Sequence, residues 1–152
     1  MKPSVLEPKL DDLYEQDFFE WTVRNAEMLR AGRVREADLE HIAEEIEDMG
    51  KSQRHELSSR LRLLLSHLLK WKYQSDQRSR SWKATIRVQR RELTRLLQQM
   101  PSLRRYLRDE LPEVYPNAVD SAIAETELPD EVFPSASPLS FDQILDLEFL
   151  PD

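Results

Sequence analysis

Leu57, Leu61, Leu64, Leu65 and Leu68 recur at spacings of three and four residues, a pattern that only an α-helix turns into one apolar face. The segment predicts a helix from about Ser52 to Tyr73, and the width of its leucine face makes it the central one. The same period runs through most of the chain. Tyr14, Phe18, Trp21, Met28 and Leu29 share a face of a helix expected from about Asp12 to Ala31, with Asp11 or Asp12 as cap and Gly32 just past its end. Leu39, Ile42, Ala43, Ile46 and Met49 form the stripe of a second helix, from an Asp38 N-cap to a stop at Gly50. A fourth runs from about Ser81 to Met100 with Trp82, Ile86, Leu93, Leu96, Leu97 and Met100 inward.

Punctuation changes after Pro101. Seven of the nine prolines lie there or beyond, so the last third is expected to break into short pieces. These are a helix to about Glu110, another near Asn117 to Glu127 beyond Pro112 and Pro116, and a last one opened by Ser140-Phe141-Asp142-Gln143. That final tetrad is a capping-box pattern. The fold class expected is all-α, a bundle of about four main helices over residues 11–100 with a shorter, proline-punctuated cover over 101–152, the whole forming one domain.

Composition removes several function classes. There is no cysteine, hence no disulfide frame, thiolate nucleophile or cysteine metal site. Only two glycines occur, too few for a phosphate-cradling loop, and no serine sits in a Gly-x-Ser-x-Gly elbow. The N-terminal segment lacks an apolar stretch of signal-peptide length. The most apolar run, Leu61 to Trp71, contains Arg62, His67 and Lys70, whereas a membrane span needs about 20 apolar residues. A cytoplasmic protein without a membrane segment is expected.

Charge is segregated along the chain. Residues 1–53 hold 7 Lys/Arg and 14 Asp/Glu, net −7; residues 54–108 hold 15 and 3, net +12; residues 109–152 hold none and 12, net −12. Either the basic middle meets an outside polyanion or the acidic tail covers it. The second alternative places Asp109–Asp152 across the two central helices, with Phe133, Phe141, Leu145, Leu147 and Phe149 as anchors and carboxylates near the arginines.

Motifs in a fixed order resemble a bacterial family, the domain of unknown function numbered twenty-nine. They are YEQDFFEW (14–21), EEIEDMGKS (44–52), LLSHLLKW (64–71), RSRSWKATI (78–86), PSL (101–103), ETELPDEVFP (125–134) and FLP (149–151). The resemblance runs nearly end to end. It implies a helical domain and no activity, cofactor or ligand.

Three groups of residues could carry chemistry. His41, Glu44, Glu45 and Asp48 place pairs four apart on one helix, the spacing of a divalent-metal site. The Glu-x-x-His order of bundle carboxylate sites is reversed here and has no second copy, so no metal and no cofactor are expected. Glu45 borders the apolar stripe, so a half-buried position and an arginine partner are expected. With His67, Trp71, Arg78, Arg80 and Trp82 it makes a candidate ligand or polar-core cluster, beside Arg60 on the central helix. Arg87, Arg90, Arg91 and Arg95 ring the fourth helix away from its core stripe, as a phosphate-tracking surface would.

The function expected is a non-enzymatic interaction or regulatory module, with a protein partner or a second copy of the chain as its target. The alternatives are a metal-assisted hydrolase using the acidic helix with His41, His55 or His67, and a nucleic-acid binder through the basic helices. The continuous core is expected to contain Leu61, Leu64, Leu68, Ile86 and Leu93.

Overall fold

A computed structural model describes residues 7–152; the first six, part of the N-terminal segment read above, lie outside it. Six α-helices and no strand are found among the described residues: α1 Leu10–Gln16, α2 Phe18–Arg30, α3 Leu39–Tyr73, α4 Arg80–Gln99, α5 Leu103–Thr126 and α6 Phe141–Leu145. The chain is all-α. It forms two compact units, residues 1–51 and 52–152, whose boundary falls inside α3.

In the N-terminal unit the single helix expected before Ala31 is two. Asp17 leaves the helical region (φ −151°, ψ 82°), and its carboxylate accepts the backbone N–H of Glu20 at 3.0 Å. The chain therefore restarts as α2 with a capped N-terminus. Neither Asp11 nor Asp12 is the cap of α1; both lie in its first turn, after Lys9. Across the break the rings of Tyr14, Phe18 and Trp21 pack at centroid distances of 5.1–5.7 Å. Gly32 closes α2 as the sequence predicts. At φ 75° it donates to Leu29 while Arg33 donates to Met28, the paired bonds of a Schellman ending.

Gly50 does not stop a helix. The two helices expected on either side of it are one, α3, 35 residues and about 52 Å long. An isolated glycine costs a helix only about 1 kcal/mol relative to alanine, and the helix formers flanking it carry the ladder through. Pro112 and Pro116 likewise fail to break α5, which absorbs the two shorter helices expected there. Four residues apart, the prolines share one exposed face. Leu107, Val114, Tyr115, Ala118 and Ala122 are buried on the other, and that burial outweighs the missing N–H groups.

The core lies in the C-terminal unit, where Leu57, Leu61, Leu64, Leu65, Leu68 and Leu69 of α3 meet Ile86 and Leu93 of α4 and Leu103 to Ala122 of α5. All five expected core residues are at most 2 % exposed. The tail after Thr126 completes this core with Phe133, Leu139, Phe141 and Ile144. The capping box forms as read, Ser140 and Gln143 exchanging bonds of 3.0 and 3.1 Å.

Carboxylates of the acidic third pair with cations of the basic middle, among them Glu110 with Arg54 at 3.1 Å, Glu125 with Lys70, and Asp142 with Arg104 at 3.9 Å. Beyond Thr126 a different chemistry adds to them. Arg90 does the holding. Only 1 % exposed, its guanidinium donates to the carbonyls of Ile144 (2.8 Å), Phe149 (2.5 Å) and Gln143 (3.1 Å). Arg104 and Arg108 sit over the Phe141 ring at 5.6 and 5.2 Å. Of the five expected anchors, Phe133 and Phe141 are buried, Leu145 and Phe149 half-buried, and Leu147 is exposed.

Candidate interaction site

The N-terminal half of α3 carries two faces. Asp38, His41 and Glu45 lie on one, and Leu39, Ala43 and Ile46 on another about a quarter-turn or more away, with Met49 at the edge between them. The polar face is the one that packs. Trp21 Nε1–H donates to Asp38 Oδ2 at 2.9 Å, and His41 Nδ1 meets the same oxygen at 2.7 Å. The Asp38 backbone N–H donates to Asn25 Oδ1 at 2.8 Å, and Tyr14 donates its hydroxyl proton to Glu45 at 2.5 Å. His41 stacks on Tyr14 with centroids 4.0 Å apart. Aromatic residues with polar tips explain the choice of face. A buried indole N–H and a buried amide require acceptors and donors, and the aliphatic face has none.

The aliphatic stripe is consequently left to solvent. Leu39 is 49 % exposed, Ile46 63 % and Met49 68 %. Glu47 and Glu40, both exposed, flank it beyond Ala43, while Glu44 and Asp48 lie on the far side of the helix, near Tyr14. This stripe of exposed large apolar side chains with an acidic border is the candidate site.

The latch at Asp38 has a pH signature. Burial raises the Asp38 carboxyl, but the bonds from Trp21 and His41 outweigh it and the net shift is downward. The bond to Asp38 raises His41 above its ordinary 6.5. Glu45, as acceptor, lifts the Tyr14 hydroxyl to about 12. A raised histidine stabilises fully below its unfolded value and loses that contribution as pH climbs through its folded one; a depressed carboxyl contributes above its unfolded value and loses it as pH falls. The latch should therefore be strongest between about pH 4 and 6.5. Unfolding followed by Trp21 indole NMR should show a maximum there, and His41→Gln should remove the alkaline limb. A flat profile from pH 4 to 8 in the parent would refute the latch.

The predicted ligand cluster is split. Glu45 is half-buried as expected, but its partner is Tyr14 and not an arginine. It belongs to the N-terminal unit, because the turn at Gly50 that would have returned the chain is absent. His67, Trp71, Arg78, Arg80 and Trp82 belong to the other unit, where all but Arg80 have partners supplied from within. Lys70, buried among them, has its ammonium 3.4 Å from His67 Nε2 and 4.9 Å from the Trp82 ring centre, and is paired with Glu125. Burial depresses His67, whose Nδ1 faces the Leu63 carbonyl at 3.0 Å. Arg78 lies 5.0 Å over Trp71 and donates to the Trp71 carbonyl at 2.8 Å. The chain's own Lys70 and Arg78 thus lie against the rings of Trp82 and Trp71. Arg80 is exposed, and Arg60 is engaged by Glu56 and Gln89. The missed residue is Lys70. Its signal was the density of leucines just before it, Leu64, Leu65, Leu68 and Leu69, which widens the apolar face toward Lys70.

In the acidic quartet, Glu44 and Asp48 are exposed while His41 and Glu45 have the partners just given. No group of three or more His, Asp or Glu among the described residues is arranged to hold a metal. His55 is exposed. Of the four α4 arginines read as a phosphate-tracking surface, Arg90 is buried and Arg95 pairs with Glu92 at 2.8 Å. Arg87 and Arg91 are exposed, and with Lys83, Arg90 and Glu148 they line a cleft of about 370 Å³ together with Ile86, Leu147 and Leu150.

The sequence pattern of the domain of unknown function DUF29 matches residues 13–150, nearly the whole chain. The chain belongs to the DUF29 family. This match embraces α2 to α6 and both faces of α3, so the latch and the stripe lie within the DUF29 domain. Comparison with curated proteins finds no match, and comparison with solved structures finds none. No helix among the described residues is long and apolar enough to cross a membrane.

Proposed function

We propose that this DUF29 chain is a non-enzymatic interaction module that docks a protein on the apolar stripe of α3. The observation that carries the reading is the inversion of faces: the polar side of the helix is packed, while Leu39, Ile46 and Met49 remain exposed. Burying side chains of this size gives about 1.5–3 kcal/mol each, which three at the centre of an interface would set against the cost of association. The hydrolase alternative needs carboxylates and a histidine from different helices around one cavity, and nothing in the N-terminal unit supports it.

A benzophenone amino acid placed at Ala43, on the stripe, tests the reading. Irradiation in cells should give discrete protein adducts, and Ile46→Asp with Met49→Asp should abolish them. Those substitutions sit on exposed positions and should change the melt by no more than about 0.5 kcal/mol. Adducts that form equally from a probe at Asp48, or none at Ala43, would overturn the proposal.

A further inference from the structure

From Arg80 to Arg91, helix α4 carries five cations and no carboxylate. Lys83, Arg87 and Arg91 stand four residues apart, about 6 Å per step along the axis, so each has a like charge as its neighbour. Cations in the opening turns also oppose the helix dipole. No carboxylate among the described residues pairs with any of the three. Arg95, one turn further on, shows the usual remedy in its pair with Glu92. Arg90 adds to the imbalance. Its guanidinium is 1 % exposed and meets three carbonyls but no carboxylate. Asp146 acts on it only at longer range, with one carboxylate oxygen taken by the Glu148 backbone N–H at 2.9 Å. Carbonyl dipoles satisfy its hydrogen bonds, yet a buried charge ordinarily has a counter-charge.

Four of these cations, Lys83, Arg87, Arg90 and Arg91, line the cleft between α4 and the tail. Its volume of about 370 Å³ is that of a small-molecule site. Glu148 is the one carboxylate in the lining among the described residues, so four cations less one anion leave it at +3. Ile86, Leu147 and Leu150 supply apolar wall. A helix that breaks its local charge rules with no relief inside the molecule marks a functional place.

We propose that this cleft binds a small organic phosphate. A phosphoryl group brings close to two negative charges and three acceptor oxygens, and guanidinium forks match them in pairs. The anion relieves the repulsion along Lys83, Arg87 and Arg91 and supplies the counter-charge that Arg90 lacks. The organic part lies against Ile86, Leu147 and Leu150, and covers Leu147, which is 51 % exposed without it. Glu148 works against the anion and moderates its affinity. Because Leu147, Glu148 and Leu150 belong to the tail, a ligand here also ties the tail to α4. Nucleic acid is the competing polyanion, but the lining holds no aromatic side chain on which a base could stack. The site lies in the C-terminal unit and stands whether or not the α3 stripe takes a partner.

Calorimetric titration of the full chain at low salt tests it, with inorganic phosphate, pyrophosphate and a nucleoside diphosphate as probes. All three should bind, the nucleoside diphosphate most tightly, and each more weakly as salt rises. Arg87→Gln with Arg91→Gln should weaken binding at least about tenfold. Glu148→Gln should tighten it about threefold. Leu147→Ser should weaken the nucleoside diphosphate and leave pyrophosphate as it was. All four positions are exposed, so these variants should melt like the parent. Amides of residues 143–150 should exchange more slowly with ligand bound. A parent that binds none of the probes overturns the proposal, and so does a double arginine variant with parent affinity. Inorganic phosphate that binds as tightly as the nucleoside diphosphate overturns the organic part. A single-stranded oligonucleotide that displaces the nucleoside diphosphate, with an affinity that grows with its length, makes the cleft part of a polyanion track and overturns the small ligand.

Discussion

Replacing Arg90 with methionine is expected to destabilise the chain by about 3 kcal/mol or more, the largest effect of any single polar substitution. Methionine keeps most of the stem's apolar volume and removes every donor. The carbonyls of Gln143, Ile144 and Phe149 then lose the guanidinium that satisfies them, and an orphaned buried acceptor costs about 1–3 kcal/mol. Arginine suits the position because its planar fork donates in several directions at once, whereas a lysine ammonium cannot span three carbonyls. Burial pulls the Arg90 pKa down, with Asp146 opposing, but an arginine stays charged at neutral pH. The order of urea midpoints should be parent, then Arg90→Lys, then Arg90→Met. Amides of residues 141–150 should lose exchange protection first. A methionine variant within about 0.5 kcal/mol of the parent would show that the tail is held by its apolar anchors alone.

What was legible in the sequence was what local chemistry decides. The leucine period of α3 and the stripe of α4 fixed the C-terminal core, because those positions have no alternative burial. Gly32 and the Ser140–Gln143 box were legible because a left-handed residue and a reciprocal cap have few other uses. The errors share a cause: tertiary burial overrode a local breaker. Gly50 was read as a stop, and Pro112 and Pro116 as joins, yet each costs only a few kcal/mol against a helix that packs along its length.

The N-terminal half of α3 was hard to read for a different reason. Hydrophobic periodicity assigns the apolar face to the core, and in the N-terminal unit that rule inverts. Trp21, Asn25 and Tyr14 demand hydrogen-bond partners that only Asp38, His41 and Glu45 provide. The stripe was visible in the sequence; its exposure was not, since periodicity is silent on whether the facing element belongs to the same molecule. The same holds for the arginines of α4. Four looked alike as charges, but one lies against the carbonyls of a segment some 55 residues later, one is paired within its own helix, and two are exposed.

Deleting residues 140–152 should be more damaging than Arg90→Met, and the two effects should not add. The deletion removes Phe141 and Ile144 from the core, worth about 1.5–3 kcal/mol each, along with the half-buried Leu145, Phe149 and Leu150. Against a typical stability of about 5–15 kcal/mol, the shortened chain sits near its unfolding threshold at 37 °C. Cutting earlier, at Asp109, would be less informative, because α5 runs to Thr126 and contributes Val114, Tyr115, Ala118 and Ala122 to the same core. The deletion also takes away Asp142, Asp146, Glu148 and Asp152 and no basic residue, so the net charge moves from −7 to −3. Arg90, freed of its carbonyls, joins Arg87 and Arg91 as an open cation. Heparin should bind the shortened chain more tightly than the parent, with an affinity that falls as salt rises. Adding Arg90→Met to the deletion should then cost almost nothing in stability, since the acceptors are gone, and should weaken heparin binding. If the two changes instead destabilise additively, Arg90 acts through some contact other than the tail. If the shortened chain melts like the parent, the tail is not part of the fold's cohesion, and the three carbonyl bonds contribute nothing to it.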